Sequence, residues 1–123
     1  MPYSSHITVK NSFIGIHKWS GCPHEEVSFL KTVHRHVFHV HTKLPVNHDD
    51  RDLEFFMVQR EVYGIIRKLY GFETVHLLGD RSCEMIAKEI VKELQTEYPY
   101  IECIRVIVSE DGENSASVTW SQD

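Results

Sequence analysis

The chain has 123 residues, of which 41% are hydrophobic and 25% are charged, and its formal net charge is −5. This length is typical of one domain, residues 1–123, with a substantial buried core. The net negative charge and the scattered basic residues argue against a nucleic-acid partner. No apolar run reaches the ~18 residues that span a bilayer, which argues against a membrane partner.

The cysteines and the N-terminus predict the compartment. Cys22, Cys83 and Cys103 are odd in number and irregularly spaced, a pattern that argues against a disulfide framework. The first residues lack the basic start and the apolar stretch of a signal peptide. We therefore expect a reduced, cytoplasmic protein.

The first part of the chain predicts two strands. Residues 6–19 alternate in polarity, and Phe13 and His17 share the apolar face. A loop and a less regular stretch follow. Residues 33–46 form the second predicted strand, and Pro45 marks its expected end.

The middle of the chain changes to helical periodicity. Residues 53–70 place a stripe of apolar side chains on one face, and Asp52 is the predicted N-cap. Residues 83–97 form a second predicted helix, which Ser82 caps. Glu84 in the first turn of this helix complements the helix dipole.

The last part of the chain returns to strand alternation. Residues 104–110 predict a third strand with Glu110 on its apolar face, and the polar segment 111–114 predicts a hairpin turn into a fourth strand. The order strand, strand, helix, helix, strand, strand predicts an α+β fold. We expect a four-stranded antiparallel sheet with two helices on one face.

Nine histidines are an unusually large number for this length, and strand alternation sorts the clustered ones. His34 and His36 lie on the apolar face of the second strand, whereas His39 and His41 lie on the other face. Side chains at positions i and i+2 start roughly 7 Å apart, so both imidazoles can converge on one metal ion. His17, on the apolar face of the neighbouring strand, is the expected third ligand.

Three neutral imidazoles with an open fourth position are typical of a catalytic zinc site. The alternative is that these histidines are core residues whose ring nitrogens bond to backbone carbonyls. The pattern of residues favours the metal, and Zn²⁺ is the expected ion.

With these elements placed, the sequence resembles the 6-pyruvoyl-tetrahydropterin synthase and 6-carboxytetrahydropterin synthase family over nearly its whole length. The family's first strand has a Phe followed by a zinc-binding His, matched here by Phe13-Ile14-Gly15-Ile16-His17. Its His-Gly-His motif is matched by His34-Arg35-His36. The Asp-Phe pair before its first helix is matched by Glu54-Phe55.

Two further matches concern the ring of the substrate. Ser82-Cys83-Glu84 resembles the Ser-x-Glu that opens the family's second helix, and Glu110 matches the carboxylate that binds the pterin ring. The resemblance therefore implies Glu110 and Glu84 as substrate-binding residues. A carboxylate can accept two hydrogen bonds from the adjacent N–H and amine of a pterin- or purine-like ring. The alternatives are that Glu110 ends its strand at the surface and that Glu84 only complements the helix dipole.

The sequence departs from the family in its acid–base residues. The family's synthases have a catalytic cysteine a few residues before the His-x-His motif, and the nearest cysteine here is Cys22, well upstream of His34. The family's Leu-Asp-His between the helices is Thr74-Val75-His76 here, so His76 lacks its orienting aspartate. Cys22 and His76 are the candidate proton carriers of an altered site.

The resemblance implies the tunnelling fold, whose subunits form barrels as trimers that stack into hexamers, with pockets between subunits. Our first hypothesis is a zinc-dependent, lyase-type enzyme that acts on a pterin or deazapurine precursor. The second is a protein that binds such a ring without turnover. The third is a structural homo-oligomer in which the histidines only pack.

Overall fold

The computed structural model describes residues 2–122, so Met1 and Asp123, the ends of the predicted domain 1–123, lie outside the described residues. A 3-10 helix (Glu25–Lys31) joins the first two strands, in the stretch expected to be less regular. The main elements of the described part follow one another as β1 (Ser5–His17), β2 (His34–Val46), α1 (Phe55–Tyr70), β3 (Val75–Gly79), α2 (Cys83–Glu97), β4 (Cys103–Glu110) and β5 (Asn114–Ser121).

The strands form one mixed sheet in the order β3-β1-β2-β4-β5. The predicted α+β class is confirmed, but the prediction of four strands, all antiparallel, missed β3, which pairs parallel to β1 at one edge. The 5 residues of β3 are too few for alternation to indicate a strand. Its partner β1 also lies far back in the sequence, before β2 and α1, so no local pattern announces the pairing.

One hydrophobic core joins the sheet to both helices. Phe38, Val40 and Leu44 alternate along β2 and are fully buried, as the apolar parity of this strand predicts. Both helices therefore pack on one face of the sheet, as predicted. Neither of them, within residues 2–122, has the length and apolar character needed to cross a membrane. The helical residues buried in the core are Val58, Val62, Ile65, Ile66, Tyr70, Ile86, Ala87, Ile90, Val91 and Leu94.

The opposite face of the sheet presents polar and basic side chains. Lys10 is exposed on β1, and the exposed Lys43 of β2 lies across from the exposed Arg105 of β4. His39 and His41 alternate with the buried residues of β2 and so lie on this face. Partial burial, Lys10 and His39 together lower the pKa of His41.

The two helix N-termini are capped by side chains. Glu54, not the predicted Asp52, caps α1, because its carboxylate accepts hydrogen bonds from the backbone N–H groups of Phe56 (3.0 Å) and Met57 (3.1 Å). Asp52 instead accepts a hydrogen bond from the backbone N–H of Asn47 in the preceding turn. The predicted cap of α2 is confirmed: Ser82 Oγ accepts from the backbone N–H of Met85 at 3.2 Å.

Alanine substitutions at two glycines should change the free energy of unfolding in opposite directions. A Cβ at Gly15 would lie 2.6 Å from Leu78 Cδ1 and 2.9 Å from Phe38 Cε2, whereas a Cβ at Gly64, in α1, would meet no heavy atom within 4 Å. We expect Gly15→Ala to lower the free energy of unfolding by about 1–3 kcal/mol because core side chains must shift. Gly64→Ala should raise it by about 0.5–1 kcal/mol because alanine favours the helix. Urea unfolding followed by circular dichroism measures both, and shifts of the same sign would contradict this packing.

Candidate metal centre

Strand pairing brings the three predicted metal ligands together. His17 ends β1 directly opposite His34, the first residue of β2, and His36 lies opposite Gly15. One ring nitrogen from each of the three histidines lies within 4.8 Å of the others. The ring centroids are 4.5 Å apart for His17 and His34, 5.3 Å for His17 and His36, and 5.1 Å for His34 and His36. This arrangement is compatible with a bound metal ion.

Hydrogen bonds determine which ring nitrogen of each histidine is free. His17 Nδ1 lies 2.8 Å from the carbonyl oxygen of Arg81, and His34 Nδ1 lies 2.8 Å from that of Thr32. His36 Nδ1 lies 2.7 Å from Asp111 Oδ2. Because these oxygens only accept, each Nδ1 must donate, and in a neutral ring Nε2 then has an unprotonated lone pair. Metal-binding histidines show this arrangement, in which the second nitrogen is fixed by a carbonyl or a carboxylate.

Hydrogen bonds from ring nitrogens to backbone carbonyls are also expected if the histidines only pack in the core. That alternative explains Nδ1 but leaves Nε2 of His17 without a partner. This atom is buried and makes no hydrogen bond within the described residues, although it lies 3.0 Å from Glu110 Oε2. The two atoms are close enough for an ion pair, but their alignment is not that of a hydrogen bond. Two lone pairs that face each other at this distance repel unless a cation lies with them, so the donor set fits a divalent metal ion.

Asp111 belongs to the candidate site, although the sequence pattern indicated only that it lies in a turn. Its Oδ1 accepts a hydrogen bond from the backbone N–H of Val37 (2.9 Å), and its own N–H donates to the carbonyl of Val37 (2.7 Å). The left-handed backbone of Asp111 (φ 56°) turns the carboxylate back toward β2. The hydrogen bonds from His36 and from the backbone of Val37 lower the pKa of Asp111. Asp111 therefore orients His36, and only the β2–β4 register, which sequence alone does not supply, could have revealed it.

A cavity of about 420 Å³ opens beside the histidines, a volume typical of small-molecule sites. Both predicted substrate-binding residues line it: Glu110 at the end of β4 and Glu84 in the first turn of α2. Glu110 lies opposite Phe38 in the β2–β4 pairing, on the side of the sheet that faces the helices. The structure therefore brings His17, His34 and both carboxylates to one cavity.

The two predicted proton carriers are not in this cavity. Cys22 is buried, and its thiol faces the carbonyl oxygens of His24 (3.6 Å) and Val27 (3.8 Å) at the start of the 3-10 helix. His76 is buried on β3, where its Nδ1 lies 3.2 Å from the carbonyl of Tyr70 and its ring packs edge-on against Phe13. The roles of Cys22 and His76 in proton transfer stay predictions, and the positions of these residues outside the cavity lining do not favour them.

Cys83 lines the pocket, although the sequence pattern indicated only that it begins a helix. It is half-buried and lines the cavity between Ser82 and Glu84. Burial, together with the carboxylates of Glu110 and Glu84, raises the pKa of the Cys83 thiol to about 12. In the metal-free protein this shift keeps the Cys83 thiol protonated at neutral pH.

Contacts with α1 and α2 hold the loop that orients His17. Arg81 Nε donates to Glu89 Oε1 (2.8 Å), and the same oxygen accepts from the hydroxyl of Tyr70 (2.9 Å). The guanidinium of Arg81 also lies 5.2 Å from the centre of the Tyr70 ring. These contacts hold Arg81 against Tyr70 of α1 and Glu89 of α2. The carbonyl of Arg81 in turn accepts the hydrogen bond that orients His17.

The fold matches solved structures of 6-pyruvoyl tetrahydropterin synthases. The Plasmodium falciparum protein superposes with a TM-score of 0.68 at 18% sequence identity, over 96% of this chain and 98% of that one. The Plasmodium vivax protein gives a TM-score of 0.70 at 17% identity, over 97% of this chain and 99% of that one. The chain has the tunnelling fold of these synthases.

The same fold occurs in an uncharacterised protein of Wolinella succinogenes, with a TM-score of 0.63 at 11% identity over 94% of this chain and 98% of that one. No family model and no curated protein matches the sequence. The resemblance stated from the motifs is therefore confirmed at the level of the fold. At these identities, the fold does not by itself carry the reaction over to this chain.

The hydrogen bond between His36 and the carboxylate of Asp111 leads to a prediction about metal affinity. Asp111→Asn keeps the size and the left-handed backbone of residue 111 but removes the charge that orients the ring. We expect the variant to bind Zn²⁺ about 10–100-fold more weakly, the usual cost of losing such a partner. Competition with a chromophoric chelator measures the affinity. Glu113→Gln, an exposed position in the same turn, is the matched control, and equal losses in both variants would contradict the role of Asp111.

The thiol of Cys83 generates a prediction about reactivity. In metal-free protein at pH 7.5, we expect iodoacetamide to label Cys83 at least ~10²-fold more slowly than in the urea-unfolded chain, because the folded thiol is almost wholly protonated. Glu110→Gln should speed the labelling, since it removes a carboxylate that disfavours the thiolate. Mass spectrometry of the labelled peptides assigns the rates. Equal labelling of folded and unfolded chains would show that the pocket does not hold the thiol protonated.

Proposed function

We propose that the protein binds Zn²⁺ through His17, His34 and His36 and binds a pterin- or purine-like ring in the adjoining cavity. The observation that supports this most directly is the set of Nδ1 hydrogen bonds, which leaves each Nε2 lone pair free, with those of His17 and His36 beside the carboxylate of Glu110. Three imidazole nitrogens are a donor set that zinc favours, and they leave a position for another ligand.

In this proposal the cavity walls select the ring. Glu110 accepts hydrogen bonds from a ring N–H and an adjacent amine, the edge that pterins and guanine-like bases share. Glu84 lies on the α2 side of the same cavity. A bound zinc ion would supply Lewis acidity toward an oxygen of the substrate side chain.

We further propose a lyase-type reaction of the 6-pyruvoyl or 6-carboxytetrahydropterin synthase kind, on a pterin or deazapurine precursor, with altered acid–base residues. Two structures of the P. vivax protein have substitutions at a glutamate described as a catalytic residue, so in that protein a carboxylate serves in catalysis. Three carboxylates line the cavity here, of which Glu110 is assigned to the ring and Asp80 accepts a hydrogen bond from the backbone N–H of Ser20. Glu84 is therefore the candidate for proton transfer.

The second candidate function is ring binding without turnover. The position of Cys22 favours it, because the only predicted thiol carrier is turned toward backbone carbonyls and lies outside the cavity lining. The free cysteines Cys22, Cys83 and Cys103 also support a reduced, cytoplasmic location in either case.

We also propose that the subunits assemble through their sheet edges into the trimer or hexamer that the fold implies. The edge strands β3 and β5 have unpaired backbone groups on their outer sides within the described sheet. Exposed small polar residues alternate along β5, which allows close approach of another strand. The third hypothesis, a structural oligomer without metal, shares this assembly and differs in lacking zinc.

Metal analysis tests the centre. We expect the purified protein to contain about one zinc per chain. His36→Ala should lower the zinc content at least ~10-fold because it removes a ligand, whereas His39→Ala, on the opposite face of the same strand, should leave it unchanged. Mass spectrometry of the metal content, with circular dichroism as a check of folding, gives the result. A wild-type protein that binds no stoichiometric metal would leave only the structural oligomer.

Turnover is tested with dihydroneopterin triphosphate and product analysis by liquid chromatography. If a pocket carboxylate moves the proton, Glu84→Gln should reduce product formation by about 10²–10⁴-fold, the usual worth of general acid–base catalysis. If Cys22 moves it, Cys22→Ala should cause that loss instead. We expect the first result, and binding of the ring with no product from the wild type would establish the second candidate function.

A further inference from the structure

Glu110 is placed among the metal ligands and not only at the wall of the cavity. Its Oε2 lies 3.0 Å from Nε2 of His17 and 3.7 Å from Nε2 of His36. Donor atoms at ~2.0–2.2 Å from a tetrahedral ion are separated by roughly 3.3–3.6 Å. The two distances lie on either side of that range, so the oxygen lies close to His17 and His36 at about the separation that a fourth ligand would have from them.

The backbone around Glu110 holds the carboxylate in this place. Glu110 is the last residue of β4, and the next residue, Asp111, is bound to Val37 through both its N–H and its carboxylate. The turn closes with a hydrogen bond from the N–H of Glu113 to the carbonyl of Glu110 (3.0 Å). The side chain, 31% exposed, extends from a strand end fixed on both sides toward the histidines.

We propose that Glu110 is a displaceable fourth ligand of the metal ion. The inference rests on the proposed function, because it requires a metal bound to the three histidines. In the ligand-free protein Glu110 completes the coordination and occupies the position that a substrate oxygen needs. A ring that engages the carboxylate takes its oxygen away from the ion and opens that position, so ring binding gates access to the metal.

The competing explanation is an ion pair between Glu110 and a protonated His17, with no ligand role. It requires that His17 carry a proton on both ring nitrogens, since Nδ1 already donates to the carbonyl of Arg81. A bound metal would remove the Nε2 proton, and the carboxylate would then be free to leave the histidines. The two explanations therefore differ in whether removing the carboxylate alters the coordination of a bound ion.

The test uses the Co²⁺-substituted full chain and imidazole as a neutral probe, so that the charge of the variant does not decide the result. We expect the visible spectrum of Glu110→Gln to respond to imidazole at concentrations at least ~10-fold lower than those needed for the wild type, because the fourth position is open. Glu113→Gln removes one carboxylate from the same turn and should behave as the wild type. Saturating pterin should make the wild type as responsive as the variant.

A second measurement does not depend on the cobalt spectrum. Chelator competition should show Zn²⁺ bound about 10-fold or more weakly by Glu110→Gln and by Glu110→Ala, with circular dichroism unchanged. Equal zinc affinity and equal imidazole response in wild type and both variants would overturn the ligand role while the three-histidine centre stands. A wild type that takes up neither Zn²⁺ nor Co²⁺ would instead overturn the proposed function.

Discussion

Thirteen residues of β1 pair with thirteen of β2 in one antiparallel register. Because side chains alternate along a strand, this single register determines both the core and the site. Phe13 and Phe38 meet inside the core as directly paired residues, with ring centroids 5.4 Å apart. The same parity, four positions further along, places His17 opposite His34. A slip of one residue would turn one of the two phenylalanines to the opposite face and separate the histidines, so the packing energy of the core also maintains the site.

The pairing alone does not orient the imidazoles. Each Nδ1 is held by a different part of the chain: the loop before α2 through Arg81, the loop before β2 through Thr32, and the β4–β5 turn through Asp111. Three elements that meet only in the folded protein thus select one tautomer for three rings. The free Nε2 atoms are a product of tertiary structure, and the unfolded chain, which lacks these contacts, has no reason to present them together.

Much of the fold and part of the site were predictable, for a common physical reason. Alternation and helical periodicity are local, so Phe38 and Val40 indicated the inner face of β2, and His34 and His36 followed from the same parity. The parts that were missed depend on contacts distant in sequence. β3 is defined by its parallel pairing with β1, and Asp111 becomes a partner of His36 only through the β2–β4 register. The cap of α1 is a smaller case. Glu54 caps this helix in place of the predicted Asp52, because Asp52 accepts a hydrogen bond from the backbone N–H of Asn47 in the preceding turn.

The same distinction separates metal binding from catalysis in this chain. The candidate metal ligands and Glu110 stand on paired strands, so the sheet that gives the protein its fold also sets their positions. A proton carrier has to be placed by loops and helix ends, which are free to change without loss of the core. Here the loop that contains Cys22 turns the thiol toward its own backbone, and β3 buries His76 against Phe13. A tunnelling fold can therefore keep a metal-binding pocket while its acid–base residues are exchanged or lost. For this reason the chemistry of the cavity, and not the fold, must decide between an enzyme and a binding protein.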